Sequence, residues 1–202
     1  MALVACLSGC IFLGRTNKVT IGKSYTGIDC GSFAILPFID NRNKLTANKL
    51  GYNAVDAMTD AFETELIGAG FTVVDRRNIQ SALDELKFSY QGDVDPEQRK
   101  QIGKLTNSDV MIIGKLRAFQ NALYERKDKP DKPSKCTTIS FYTKAVHIET
   151  GEILWTGSLT QSTGYKEDFL YSCDCDVLKY ATKAASDVVK KIVKLSAKKE
   201  DK

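Results

Sequence analysis

Apolar residues along the chain fall into two spacings, short continuous runs and longer stretches that repeat every three or four positions. Residues 32–38 (SFAILPF) are a short apolar run closed by Pro37, which predicts a buried strand. Residues 39–46 (IDNRNKLT) are polar and read as a loop. From about Ala47 to Gly68 the residues Leu50, Ala54, Met58, Ala61, Phe62 and Leu66 lie on one helical face, and Gly68 and Gly70 stop the helix. Residues 71–75 (FTVVD) predict a second strand, and Ile79, Leu83 and Leu86 a short helix over 78–88. Asp95-Pro96-Glu97-Gln98 is a strong helix start: Asp95 caps, Pro96 takes the first helical position and Gln98 completes a capping box, with the helix ending near Leu105.

Residues 109–119 (DVMIIGKLRAF) predict a third strand, central because its first half is apolar throughout. Residues 136–148 are long and rich in β-branched and aromatic side chains. A turn at 149–152 (ETGE) returns the chain as a partner strand over 153–162. Leu178, Ala181, Ala185, Val188, Ile192 and Leu195 give an amphipathic C-terminal helix with a basic outer face. The order β-α-β-α-α-β-β-β-α predicts an α+β fold with an α/β-like first half, a mixed β-sheet with packed helices. The 202 residues are enough for one core, placed at 32–197, with a charged tail at 198–202.

The opening residues follow neither spacing. Residues 2–10 (ALVACLSGC) are apolar and end Leu7-Ser8-Gly9-Cys10, which matches the bacterial lipobox: an aliphatic residue, two small residues, then the cysteine whose thiol receives a diacylglyceryl group. Residues 1–9 are read as the remnant of a lipoprotein signal peptide, Cys10 as the lipidation site, and residues 10–31, rich in Gly, Thr, Lys and Asn, as a tether. Residues 1–9 hold no Lys or Arg, so the precursor is expected to begin upstream. Several acyl chains on Cys10 give stable membrane anchoring, which a single chain does not. Ile11 after the cysteine, rather than Asp, directs the protein to the outer membrane with its domain facing the periplasm.

Charge narrows the partners. The net charge of +4 is that of residues 183–202 alone, which hold seven Lys and three Asp or Glu. The remainder balances to zero, so a solvated basic helix is favoured and no nucleic-acid partner is expected.

The strand FAILPF, the segment AVDAMTDAFETELIGAGFTVVDRRNIQSALDE, the strand SDVMIIGKL and the hairpin TGEILW together resemble, in this order, the CsgG-like family, named for the outer-membrane lipoprotein of curli secretion. The resemblance spans about residues 32–195 and includes Arg76 after the second strand, Asn107-Ser108-Asp109 at the start of the third and the Thr150-Gly151 turn. His147 departs from the Asp that members often carry before that turn. The curli channel inserts two membrane hairpins into this domain. The corresponding stretches here, 120–135 and 161–176, are read as loops: the first is dense in charge and holds Pro130 and Pro133, the second is short and polar. A membrane hairpin needs strands of about 9–11 residues with alternating apolar side chains. The resemblance therefore implies a compact member without the pore.

Six cysteines are present. With Cys6 in the leader and Cys10 lipidated, Cys30, Cys136, Cys173 and Cys175 remain, an even number in an oxidising compartment. Disulfides or free thiols are expected. Registering the hairpin on Thr150-Gly151 puts Cys136 opposite about Tyr165, near Cys173 and Cys175, with Cys30 left for the other of the two. A metal in Cys173-Asp174-Cys175-Asp176 is not expected, because C-x-C lacks the spacing of structural zinc. His147, the only histidine, is read as a hydrogen-bonded structural residue, Asp75-Arg76 as an ion pair fixing a turn, and Trp155 as core.

No catalytic constellation or phosphate loop is visible, so neither an enzyme nor a cofactor is expected. The functional expectation is a lipid-anchored, non-enzymatic accessory of envelope assembly or secretion that docks an envelope protein, with a homo-oligomer as the further option. The alternatives are an oligomeric curli-type channel subunit and an activator of a peptidoglycan synthase.

Overall fold

The computed structural model describes residues 11–25, 31–42, 54–86, 94–124, 134–164 and 177–200. In chain order these form strands β1 (Ile11–Ile21), β2 (Ser32–Ile35) and β3 (Ile39–Asp40), helix α1 (Ala54–Gly68), strand β4 (Thr72–Val73), helices α2 (Arg76–Glu85) and α3 (Pro96–Thr106), strands β5 (Val110–Tyr124), β6 (Ser134–His147) and β7 (Ile153–Gly164), and helix α4 (Val177–Glu200). All seven strands share one open, mixed sheet of order β1-β7-β6-β5-β2-β4, with β3 also paired to β5. β2, β3 and β4 run parallel to their neighbours, whereas β5, β6, β7 and β1 form an antiparallel meander. The expected α+β class is the one that forms.

The two ends of the sheet are covered differently. Phe33, Ile35, Val110 and Ile112 face α1 and α4, in one core that continues under the meander through Phe141, Trp155 and Leu159. Ala34, Leu36, Met111 and Ile113 point the other way, onto Ile79 and Leu83 of α2 and Ile102 of α3. β2 and the first half of β5 are thus buried on both faces, which is why they read as continuous apolar runs. Beyond Val146, which is buried opposite Met111, β6, β7 and β1 are buried on the α1/α4 face and alternate.

Several expectations shift. The tether expected at 10–31 is replaced over residues 11–21 by strand β1, paired antiparallel to β7 from Ile11↔Gly164 to Ile21↔Trp155. Its composition suggested a linker, but Thr16, Lys18 and Thr20 are exposed while Val19 is buried, the period of a half-buried strand. Ile39–Asp40, expected within a loop, pairs with Lys115 and Leu116. The first helix is described from Ala54; its expected start at Ala47 lies outside the described residues. Residues 120–124, 134–135 and 163–164, expected within the two loops, belong to β5, β6 and β7, and 161–162 belong to β7 as the partner strand expected over 153–162. The antiparallel ladder extends that far because Ala118–Tyr124 pairs residue for residue with Ser140–Ser134 after a bulge at Arg117. Residues 125–133 and 165–176 lie outside the described residues.

Candidate functional site

The segments carrying the family resemblance turn out to be junctions. Asp75 is the N-cap of α2, and its carboxylate accepts from the Arg77 backbone N–H at 2.7 Å. That bond, with the Arg77 side chain, holds the Asp75 carboxyl below the usual carboxylate range. The expected Asp75-Arg76 ion pair does not form. Arg76 reaches back to Asp56 and, at 2.5 Å, to Asp60 on α1, locking α1 to the start of α2 across β4. Asp56 and Asp60 are four residues apart on one helical face, a spacing that could have flagged the shared partner. Glu63, one turn further, is pushed up by burial and by the neighbouring Asp60 charge.

Asn107-Ser108-Asp109 joins α3 to β5. Asn107 closes α3 in the left-handed region (φ 50°), where glycine and asparagine are favoured. Asp109 then accepts from the Ser32 backbone N–H at 2.9 Å, and the Ser32 hydroxyl donates to the Asn107 carbonyl at 2.9 Å. The starts of β2 and β5 are thereby tied side by side. The α3 start forms as the sequence predicts, with a complete Asp95/Gln98 capping box.

The 148–152 turn is held by three groups. Arg99 of α3 donates from Nε to the Ile148 carbonyl at 2.7 Å. The Thr150 N–H donates to His147 Nδ1 at 3.3 Å, so the single histidine has the structural role expected of it. Gly151 (φ +75°) lies where an added Cβ would come within 2.8 Å of Arg99, so both conformation and space select glycine. Trp155 is fully buried in the main core, as expected.

Cys136 sits in β6 opposite Ala122, near the far end of the β5–β6 ladder. The β6–β7 register runs Thr137↔Thr163, one residue short of the one that placed Cys136 opposite Tyr165: the turn is centred before Thr150-Gly151, with Val146 opposite Ile153, and the bulge at Ala145/Val146 recovers one of the two residues. Cys10, Cys30, Cys173 and Cys175 lie outside the described residues. Gly31, bonded to Cys30, packs on Asp109 at the start of β5. That is about 40 Å from the Cys136 position, at ~3.4 Å per residue along β5. Sequence reading also missed the Asp40–Arg42 pair at the end of β3, in which Arg42 grips the carboxylate with two nitrogens at 2.8 and 2.7 Å and holds the Asp40 carboxyl down. Among the described residues no helix is long and apolar enough to cross a membrane.

This arrangement of a mixed sheet, two helical layers and capped junctions defines a domain class. Residues 36–126 match the family described as "Curli production assembly/transport component CsgG", so this part of the chain is similar to that family. Lipoprotein GNA1162 from Neisseria meningitidis is 16% identical with a TM-score of 0.54, covering 81% of this chain and 98% of its own. The hypothetical protein CT253 from Chlamydia trachomatis is 13% identical with a TM-score of 0.50, covering 82% of this chain and 95% of its own. Both share the fold. A comparison with curated proteins gives no match.

Proposed function

We propose that this chain is a lipid-anchored, CsgG-like accessory of cell-envelope assembly or secretion, held at the outer membrane through Cys10 and working by docking a protein partner in the periplasm rather than by catalysis. The observation that carries this reading is the match of residues 36–126 to a family of assembly and transport components. The lipobox ending at Cys10 fits it, and strand β1 begins one residue later. On this reading the anchor leads straight into the sheet, so the domain stands at the membrane surface. Its junctions (Arg76 to α1, Asp109 to β2, Arg99 to the 148–152 turn) keep the frame rigid while the partner surface is presented.

The competing role is an oligomeric secretion channel. The β5–β6 extension past the Arg117 bulge is seven residues on each strand in the described ladder, Ala118–Tyr124 against Ser134–Ser140. What speaks against a membrane hairpin is composition: residues 125–133 hold Glu125, Arg126, Lys127, Asp128, Lys129, Asp131 and Lys132 with two prolines, where a membrane-crossing strand needs alternating apolar side chains. The test is the particle mass of the full-length, lipidated protein in detergent, with electron microscopy of the same fraction and mass spectrometry of the N-terminal peptide. A monomer or small oligomer with acylated Cys10 is the expected result. A ring with a central hole overturns the adaptor in favour of the channel, and an unmodified Cys10 overturns the anchor.

A further inference from the structure

Among the described residues, no helix covers one face of the meander. Among those residues α2 and α3 cover that side only over β2 and the first half of β5, and the cross-strand rows beyond them are half-buried, becoming exposed at Thr160 and on β1. One row runs Lys144, Thr156, Thr20, starting beside the covered Ile113. The next runs Lys115, Tyr142, Ser158, Lys18, and the third Ala118, Ser140, Thr160, Thr16. Arg117, exposed in the bulge, lies over the Tyr142 ring with its guanidinium carbon 5.6 Å from the centroid. Ser140 and Thr160 share a hydrogen bond of 2.8 Å.

The face is of one sign. The four strands β1, β5, β6 and β7 hold six Lys or Arg and no Asp or Glu, so all 25 acidic residues of the chain lie elsewhere. At ~4.8 Å between strands, Arg117 on β5 and Lys18 on β1 stand about 14 Å apart across the face, with Lys144 on β6 between them. A broad, open surface of spaced cations and hydroxyls complements a broad anionic surface rather than a pocketed ligand.

We propose that this face docks on the anionic headgroups of a phospholipid surface. The choice of a membrane over an acidic protein comes from chain order. Under the function proposed above, the lipid sits on Cys10, and Ile11 already belongs to β1, the outermost strand of this face. With no linker between them, the sheet is held beside the headgroups. Because charge is screened within ~8 Å at physiological salt, the cations act only when the face lies against the surface. The acyl chains then fix where the protein is, and the face fixes which way it lies, leaving α1 and α4 turned away from the membrane.

The test uses the full chain carrying Cys10→Ser, so that no acyl chain contributes, and flotation with vesicles. The expected result is binding to phosphatidylcholine vesicles in which about a third of the lipid is phosphatidylglycerol, loss of that binding in high salt, and no binding to pure phosphatidylcholine. Lys18→Gln, Arg117→Gln and Lys144→Gln together should weaken it by roughly a hundredfold, at about fivefold per basic group near the surface. Lys18→Glu alone, at an exposed edge position, gives the same direction if the triple variant does not fold. Equal binding to neutral and anionic vesicles overturns the proposal. So does binding that survives the sheet substitutions but is lost with Lys183→Gln, Lys190→Gln and Lys194→Gln, which moves the contact to α4. So does retention on immobilised polyglutamate without vesicle binding, which assigns the face to an acidic polypeptide. Since this protein carries no lipid, the outcome is independent of whether Cys10 is acylated in the cell.

Discussion

The two halves of the sheet solve the same problem in opposite ways. From Phe33 to Leu36 and from Val110 to Gly114 every residue is buried, because helices cover both faces: Phe33 and Ile35 go to one core, Ala34 and Leu36 to the other. Across β6, β7 and β1, beyond Val146 and Ile153 at the turn end, the chain spends only alternate described residues on the core, and those facing the other way are Ser, Thr, Lys and Tyr. The parallel half is therefore specified by packing on two sides. The meander is specified by one packed side and by backbone pairing, which leaves its other face free to be chosen for something besides stability.

The largest test of this contrast is to empty the core that both halves share. Phe62 of α1 is fully buried and packs edge-on against Phe141 of β6 at 5.9 Å and against Phe38 at 5.8 Å. Phe62→Ala should cost about 3–5 kcal/mol, read as a fall in the denaturant midpoint at unchanged slope. Thr160→Ala on the bare face should stay within about 0.5 kcal/mol. A cost above 1 kcal/mol at Thr160 would show that the face is not free of structural duty. Next in size is overpacking on the covered side of the meander. A Cβ at Gly157 would lie 2.6 Å from Val188 Cγ1 of α4. Gly157→Ala should therefore cost about 1–3 kcal/mol, and combining it with Val188→Ala should cost less than the two singles summed.

The same contrast explains what could be read in advance. Apolar runs and helical repeats announced β2, β5, α1 and α4, because both-face burial and one-face burial each leave a strong period. The Asp95 cap was legible because capping is local. β1 was missed because an edge strand needs little hydrophobicity: of its Thr16–Ile21 segment only Val19 is buried, and its partner β7 is more than 130 residues away in the chain. Arg76 was assigned to its sequence neighbour Asp75, whereas its carboxylates come from another element, Asp56 and Asp60 of α1. Side-chain partners of that kind are set by how elements pack and leave no period in the sequence. The one-signed face was hidden for a related reason, since its cations come from three strands and only cross-strand register gathers them.

A smaller effect is expected at the seam between the halves. Asp109 accepts from the Ser32 backbone N–H, and Asp109→Ala leaves that donor without its carboxylate. The expected cost is about 1–2 kcal/mol in equilibrium unfolding. It should appear in hydrogen exchange as faster opening of β2 and β4 with little change in β6 and β7. Uniform loss of protection would mean that the halves open as one unit.

Acid should act on one half first, by the smallest effect and the most discriminating one. The described carboxylates with displaced titration all lie outside the meander: Asp40 beside Arg42, Asp75 at the α2 cap, and Glu63 on α1. Asp40 and Asp75 are held below the ordinary value near 4, so they stabilise the fold above that value, and the benefit is lost as the pH falls through their lowered values. Glu63 works in the other direction. Burial disfavours its charged form, so its penalty is present at neutral pH and is relieved as the pH falls through its raised value. Between pH 6 and 4 stability should thus stay level or rise slightly, and below about 4 it should drop. Glu63→Gln should remove the rise without moving the drop, and Asp75→Asn should shrink the drop. Amide exchange at low pH should show α2 losing protection before β6 and β7, whose strands contain no carboxylate to protonate. If β6 and β7 lose protection together with α2, the acid response belongs to the whole sheet, and the separation of charge between the halves has no energetic meaning.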